Sequence, residues 1–498
     1  MLKLYLFLIS GFFFAVNIFS QSYYLTINNG YGSGNYQEGD SVHIWSKTPM
    51  DAAVFTNWTG DGMEYLSFEN EWHVVLVVPE LTEVGSLEFT AHYDAIPANT
   101  TYGVDSFLLW GKDSSGIFLP IYKEVNYAIP PSPKAMVFLL HGTGGSGRSF
   151  FKRFERTNLV KDLLYDDFAV FALDANETTM GDINEDGYIR WNNFNSGNAS
   201  AQNNIDLGNV NFTRDSIVQK FNLPASIPTF TLGMSNGAVF SDLCASALGY
   251  NASAHITARG NYATYRREDI VPVIWIMSEN DHQEQANNDE AFANFEEMTI
   301  NGGQEAEFHI FNRSPVFPQR FRRNLVHISL NQSQTIFDSL EAKNYLDDRN
   351  FLNSLDISLI PNSFFNQLGL TGAQRKGVID QLGCVNADHI LHSDYSKNII
   401  RFFNQFPEEY SPLADKTPRP AASNINVYPN PTNGKFWVSG SNKPAKLVSI
   451  YDIQGKLKGV EVIDTNTQSM NIDHYPPGVY ILHFRTSDGW MVKRIVLE

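Results

Sequence analysis

Thr229-Phe230-Thr231-Leu232-Gly233-Met234-Ser235-Asn236-Gly237-Ala238 is the stretch on which the fold of this chain turns. Residues of strand character run into a serine flanked by glycines, and Val239 to Leu248 then reads as a helix. A serine wedged between a strand and a helix sits on a sharp turn that brings backbone segments together, so its neighbours must be small. Gly233 and Gly237 meet that need. Further out, Met136 to Leu140, Ala169 to Leu173 and Val273 to Met277 are continuous apolar runs, each ending at a cluster of Gly, Asp, Asn or Ser. Such runs suit strands covered on both faces, and the helical text between them predicts an α/β fold with a mostly parallel sheet. In sheets of that kind the working residues stand just beyond the carboxyl ends of the strands.

The ends of those strands carry compatible chemistry. His141-Gly142-Thr143-Gly144-Gly145 follows the Met136 to Leu140 run. Backbone N–H groups near Thr143 or Gly144, together with that of Asn236, would stabilise the oxyanion that forms when a hydroxyl attacks a carbonyl. His141 precedes the serine and is expected to be a structural partner of its loop. An orienting acid and a base should follow in the order Ser, Asp, His. Asp281, in the turn after Val273 to Met277, is the expected acid, with Glu279 as the competing carboxylate. His389, ahead of the closing helical stretch Tyr395 to Phe406, is the expected base in preference to His392, because a base must stand on the loop.

On these residues, positions 105 to 406 resemble an α/β-hydrolase, similar to extracellular esterases of the polyhydroxybutyrate depolymerase and feruloyl esterase type. Their elbow often reads Gly-Met-Ser-Asn-Gly-Gly, and here Ala238 replaces the last glycine. The resemblance implies Ser235 as nucleophile with Asp281 and His389, hydrolysis of carboxylic esters, and no cofactor for catalysis. The separation of Asp281 from His389 exceeds what a minimal fold needs. A lid insertion is therefore expected at about 300–383, with helices over Pro315 to Leu382. Phe311, Phe317, Phe321, Phe337 and Phe351 are candidates to line an acyl site there, although core is the ordinary place for such residues.

A second motif lies between strands. Asp182, Asn184, Asp186 and Tyr188, with Gly187, follow the spacing of an EF-hand calcium loop. Position twelve is Asn193, where such loops carry a bidentate Glu, so a structural calcium here would be held modestly, and an acidic surface turn has the same appearance.

The two ends read differently. Met1-Leu2-Lys3 followed by an apolar run to Val16 has the form of a secretory signal over residues 1–20, too short to cross a bilayer that needs ~20 apolar residues. Residues 21–95 alternate as short strands with turn dipeptides. Their Leu25 to Gly30, Gly32-Ser33-Gly34 and Asn57-Trp58-Thr59-Gly60-Asp61 resemble the internalin B-repeat type of surface module. Trp58 and Trp72 are expected in its core rather than on sugars. The hydrolase-like part spans 99–410, and a Pro-rich linker with Pro412, Pro418 and Pro420 occupies 411–424. Residues 425–498 alternate as a small antiparallel sandwich. The order Ile425 to Pro431, Val448 to Lys456, Pro477 to Ile481 and Lys493 to Val496 resembles the C-terminal sorting domain of the Por, or type IX, secretion system. That resemblance implies contact with the type IX machinery and release or attachment at the cell surface.

Composition agrees with export and excludes some classes. The chain has 498 residues, 43% hydrophobic and 18% charged, which fits several folded units. A net charge of −18 repels phosphate backbones, so nucleic acid is not an expected partner. Cys244 and Cys384 permit one disulfide in an oxidising compartment, or two buried thiols. The reading is an exported serine hydrolase acting on an extracellular ester. Against it stand an adhesin or glycan-binding protein on a hydrolase scaffold and a serine peptidase, which for an amine substrate would place acidic groups in its cleft.

Overall fold

The central sheet has eight strands, and its order fixes where chemistry can occur. In chain order they are β1 (Thr101–Lys112), β2 (Phe118–Ile129), β3 (Ala135–Leu140), β4 (Phe168–Leu173), β5 (Thr229–Met234), β6 (Ala252–Ile256), β7 (Val273–Ser278) and β8 (Ala306–Phe311). They lie in the spatial order β8-β7-β6-β5-β3-β4-β2-β1. All neighbours from β4 through β8 are parallel, while β2 runs antiparallel to both β4 and β1. The four apolar runs singled out in the sequence are β3, β4, β5 and β7.

Every residue of β3 and of β4 is buried, because helices cover both faces. Val137 and Leu139 pack with residues of α1 (Phe154–Tyr165) and of the closing helix Ser396–Phe403. Met136, Phe138 and Leu140 point the other way, onto residues of α2 (Ile205–Lys220) and α3 (Asn236–Leu248). This is the period-two alternation of a strand inside a three-layer fold, each large side chain contributing ~1.5–3 kcal/mol by burial. Strand order and the position of the turn at Ser235 are those of an α/β-hydrolase fold.

The structure, a computed structural model, describes residues 22–49, 51–66, 69–78, 86–283, 287–301, 303–407, 425–440, 447–452, 457–462, 467–486 and 489–498. The expected signal segment and the Pro-rich linker at 411–424 lie outside the described residues. Among the described residues no helix is long and apolar enough to cross a membrane.

The described chain divides into two compact units, the smaller drawn from residues up to Lys47, from Trp58–Glu69 and from His73–His92. Segments Thr48–Asn57 and Asn70–Trp72 group with the larger unit, so the module expected at 21–95 is not one continuous block. Ser22–Asn28 pairs antiparallel with Gly34–Gln37 and parallel with Ser86–Ala95, and a three-stranded sheet joins Gly30–Tyr31, Ser41–Ser46 and His73–Val77. Trp58 and Trp72 are both buried.

The insertion after β8 is helical but starts later than about 300, because Ala306–Phe311 is the sheet's last strand. It contains Leu330–Ala342, Asn362–Gln367 and Gly372–Val385 around a core of its own that includes Phe321, Phe337 and Leu382. Residues 425–498 form two antiparallel sheets of three and four strands around Phe436, Ile450, Leu482 and Ile495.

Candidate active site

The turn after β5 is the most constrained point of the fold. Ser235 has φ 57° and ψ −127°, a backbone state that L-residues seldom adopt and that costs ~1–3 kcal/mol. Its N–H donates to the Ile256 carbonyl at 2.8 Å, and α3 begins at the next residue. A Cβ on Gly233 would stand 2.0 Å from the Gly237 carbonyl oxygen, and one on Gly237 would stand 2.4 Å from the carbonyl oxygens of His141 and Leu140. No side chain fits at either position, which accounts for both glycines. Ala238 is fully buried at the helix start, where the extra methyl is accommodated.

His389 and Asp281, far apart in sequence, are joined here: Nδ1–H of His389 donates to Asp281 Oδ2 at 2.5 Å. The Asp281 side chain has no exposed surface and that of His389 keeps 12%. The N–H of Gln283 donates to Asp281 Oδ1 at 3.1 Å, so both carboxylate oxygens have fixed roles. Ser235 and His389 line one cleft of about 930 Å³. The rival groups are engaged elsewhere. Glu279 accepts the N–H of Arg313 at 2.8 Å. His392 is buried with its ring centroid 3.4 Å from that of Phe311, and burial pulls its pKa down to about 4. Two further pairs, His255 with Asp242 and His309 with Glu307, are buried and do not line this cleft.

The loop after β3 lies against Ser235: a Cβ on Gly142 would be 3.2 Å from Ser235 Cβ and 3.8 Å from its Oγ. Of the two oxyanion donors considered there, the N–H of Gly144 is spent on the Ile189 carbonyl at 2.8 Å. Gly144 is therefore corrected out of the set. The N–H groups of Thr143 and of Asn236 make no hydrogen bond among the described residues, and Asn236 is the first residue of α3, at the positive end of its dipole. His141 is structural, as expected. Its Nδ1–H donates to the Gly142 carbonyl at 2.8 Å while Nε2 accepts from the N–H of Ala175 at 3.1 Å, and burial draws its pKa down to about 4.

Three features singled out in the sequence take definite form here. The acidic loop is braced by hydrogen bonds and an ion pair of its own. Asp182 accepts the N–H groups of Asp186 and Gly187, Asp186 accepts that of Tyr188 and pairs with the Arg190 guanidinium, and Asn193 turns its amide N–H to the Asn236 carbonyl. A cation from the chain itself already balances the central carboxylate. Cys244 and Cys384 are free thiols, each completely buried, one in α3 and the other in the helix Gly372–Val385 of the insertion. Phe311, Phe317, Phe321, Phe337 and Phe351 do not line the cleft; the insertion sends Lys376 into it instead.

Two sets of contacts around the candidate site had no signal in the sequence. Trp191 donates its indole N–H to the His141 carbonyl at 2.9 Å and its backbone N–H to Asn236 Oδ1 at 2.8 Å, and stacks on Phe240 at 4.6 Å. Trp191 thus clamps the loop after β3 to the turn at Ser235. Glu155 of α1 accepts from Nε and Nη2 of Arg323 at 2.9 and 2.8 Å, from Gln381 at 2.9 Å, and from the N–H and hydroxyl of Ser393 at 3.0 and 2.7 Å. Burial alone would raise the Glu155 carboxyl, but Arg323 and then Arg320 hold it well below the usual carboxylate range. This network ties the insertion and the loop that follows His389 to α1. A bare Glu155, Arg323 or Trp191 in the text carries no pattern; only a completed fold brings their partners together.

Residues 426–498 match the secretion system C-terminal sorting domain, so the chain is a type IX cargo, released or held at the cell surface. The resemblance of residues 21–95 to the internalin-type repeat is not confirmed. No curated protein matches this chain in sequence. Among solved structures, the S-formylglutathione hydrolase from Agrobacterium tumefaciens aligns over 50% of this chain and 95% of its own, at 11% identity and a TM-score of 0.34. A dienelactone hydrolase from Anabaena variabilis aligns over 42% of this chain and 87% of its own, at 13% identity and a TM-score of 0.29. A ferulic acid esterase aligns over 43% of this chain and 91% of its own, at 11% identity and a TM-score of 0.30. Likeness at that level speaks to neither substrate nor mechanism.

Proposed function

We propose that this exported chain is a serine hydrolase that cleaves carboxylic esters through an acyl-enzyme. The observation that carries the reading is the His389–Asp281 hydrogen bond at the same cleft as a serine held on a strained strand-to-helix turn. Ser235 Oγ attacks the ester carbonyl carbon as His389 Nε2 takes its proton, and Asp281 holds the Nδ1–H tautomer and stabilises the imidazolium. The oxyanion sits between the N–H groups of Thr143 and Asn236, each donor contributing roughly 3 kcal/mol to the barrier reduction. His389 returns the proton to the departing alcohol. Water, activated by the same imidazole, then releases the acid and restores the serine.

Two competing readings lose support. An amine-binding peptidase needs acidic groups in its cleft, and among the described residues no Asp or Glu lines this one. A purely adhesive scaffold has no use for a strained serine whose glycine neighbours admit no side chain. The test is release of nitrophenol from 4-nitrophenyl butyrate by the purified chain, with fluorophosphonate labelling mapped by peptide mass. Labelling at Ser235 and loss of turnover in Ser235→Ala are expected; equal turnover in that variant ends the reading.

A further inference from the structure

The cleft around Ser235 has a charge that its hydrolytic role does not explain. Arg148, Lys152, Arg153, Arg156, Arg190 and Lys376 line it, and no carboxylate does among the described residues, although the whole chain carries −18. Two of the six are balanced locally, Arg153 by Asp380 at 3.3 Å and Arg190 by Asp186. Arg148, Lys152 and Lys376 are exposed and have no carboxylate in ion-pair contact among the described residues, Asp380 acting on Lys376 only at longer range. They stand on two elements, the turn after β3 and the insertion helix Gly372–Val385.

Arg156 stands on α1. One guanidinium nitrogen donates to Ser149 Oγ, the other lies 3.6 Å from Met234 Sδ, and the group sits 5.2 Å above the Phe150 ring. No carboxylate pairs with it among the described residues. Burial, with the neighbouring charge of Arg153, lowers its pKa to about 10 against the opposing influence of Asp380, so it stays charged at neutral pH. A half-buried guanidinium with no carboxylate in ion-pair contact, and only Asp380 acting on it from farther off, is incompletely balanced, and a bound anion would complete that balance. Met234, whose sulfur it meets, lines the same cleft as Ser235, so this cation belongs to the wall of that cleft.

We propose that the ester cleaved here carries a fixed negative charge, a carboxylate a few bonds from the scissile carbonyl, seated between Arg156 and the outer cations Arg148, Lys152 and Lys376. The inference rests on the ester-hydrolase reading and narrows it to anionic esters. The cations also concentrate such a substrate at the cleft of an otherwise anionic protein, which makes capture dependent on ionic strength.

The experiment compares matched substrates on the full chain. An acyl-side pair is 4-nitrophenyl hydrogen adipate and its neutral methyl-capped form. A leaving-group pair is the butyrate ester of 5-hydroxy-2-nitrobenzoic acid and the same compound with its carboxyl methylated. The carboxylate form of at least one pair should show a kcat/KM roughly tenfold or more above its neutral partner at low salt, the lower end for a hydrogen bond to a charged group. That ratio should fall severalfold in ~0.5 M NaCl, where screening acts within a few ångströms. It should also collapse toward one in Arg156→Met and, should that variant not fold, in the surface double variant Arg148→Ala/Lys376→Ala. The pair that responds assigns the charge to the acyl or the alcohol side. Ratios at or below one for both pairs, or ratios indifferent to salt and to both variants, overturn the charge inference while neutral-ester turnover and Ser235 labelling leave the esterase reading standing. No turnover of any of the four esters and no label on Ser235 overturns both.

Discussion

Replacing Asp281 with Asn isolates one atom of the catalytic arrangement. The side chain is fully buried, so an isosteric amide stays in place, and its two ends face different partners. The N–H of Gln283 donates to Oδ1 and His389 Nδ1–H to Oδ2. With Asn the oxygen is kept toward the Gln283 N–H and the NH2 faces Nδ1, which then must accept. The imidazole is driven to its Nε2–H tautomer, unable to take the serine proton. The variant also loses the charge that stabilises the imidazolium, worth about 4 kcal/mol for unit charges ~4 Å apart at an effective dielectric constant near 20. That alone is roughly 10³ in rate, and the wrong tautomer extends the loss toward 10⁴. The assay is kcat on 4-nitrophenyl butyrate together with a thermal melt. We expect kcat to drop between these limits with the melting temperature within about 2 °C of the parent, since packing is unchanged. A folded variant within tenfold of the parent would show that Asp281 does not set the His389 tautomer.

Glu155→Gln should destabilise the fold by roughly 3–5 kcal/mol, because it leaves the fully buried Arg323 without its counter-ion; urea denaturation measures this, and a change below 1 kcal/mol would contradict the ion-pair account. Stability should also fall in acid. Burial would raise the Glu307 carboxyl, but its bonds to His309 and Arg401 hold it down to about 2, and Glu155 is likewise depressed. A depressed carboxylate contributes stability that is complete above its unfolded pKa near 4 and is lost as pH falls through the folded value, so melts should decline between about pH 4 and 2, by up to about 3 kcal/mol for Glu307. Burial pushes both cysteine thiols up, so neither should react with a thiol reagent in the native chain, and both should titrate in guanidinium; fewer than two would indicate a disulfide.

The apolar runs that became β3, β4, β5 and β7, the two glycines around Ser235, and the order Ser235, Asp281, His389 were legible before any coordinates, because each is a local or ordinal property. A strand buried on both faces must be apolar throughout, and an elbow that brings Gly237 within reach of the His141 carbonyl oxygen tolerates no Cβ. The C-terminal sorting domain was legible for the same reason, as alternation and turn residues in a short stretch. What the text could not contain is who meets whom across hundreds of residues. The phenylalanines of the insertion read equally well as acyl-site lining or as core, and only packing sent Phe321 and Phe337 inward while Lys376 reached the cleft. The Asp182 to Asp186 spacing suits a metal, yet Arg190 folds back onto Asp186 and the loop's backbone goes to Gly144. The tertiary structure alone decided that the Gly144 N–H is taken by Ile189, that both thiols are free, and that six cations line the cleft of Ser235. Each of these depends on distances that chain order does not encode.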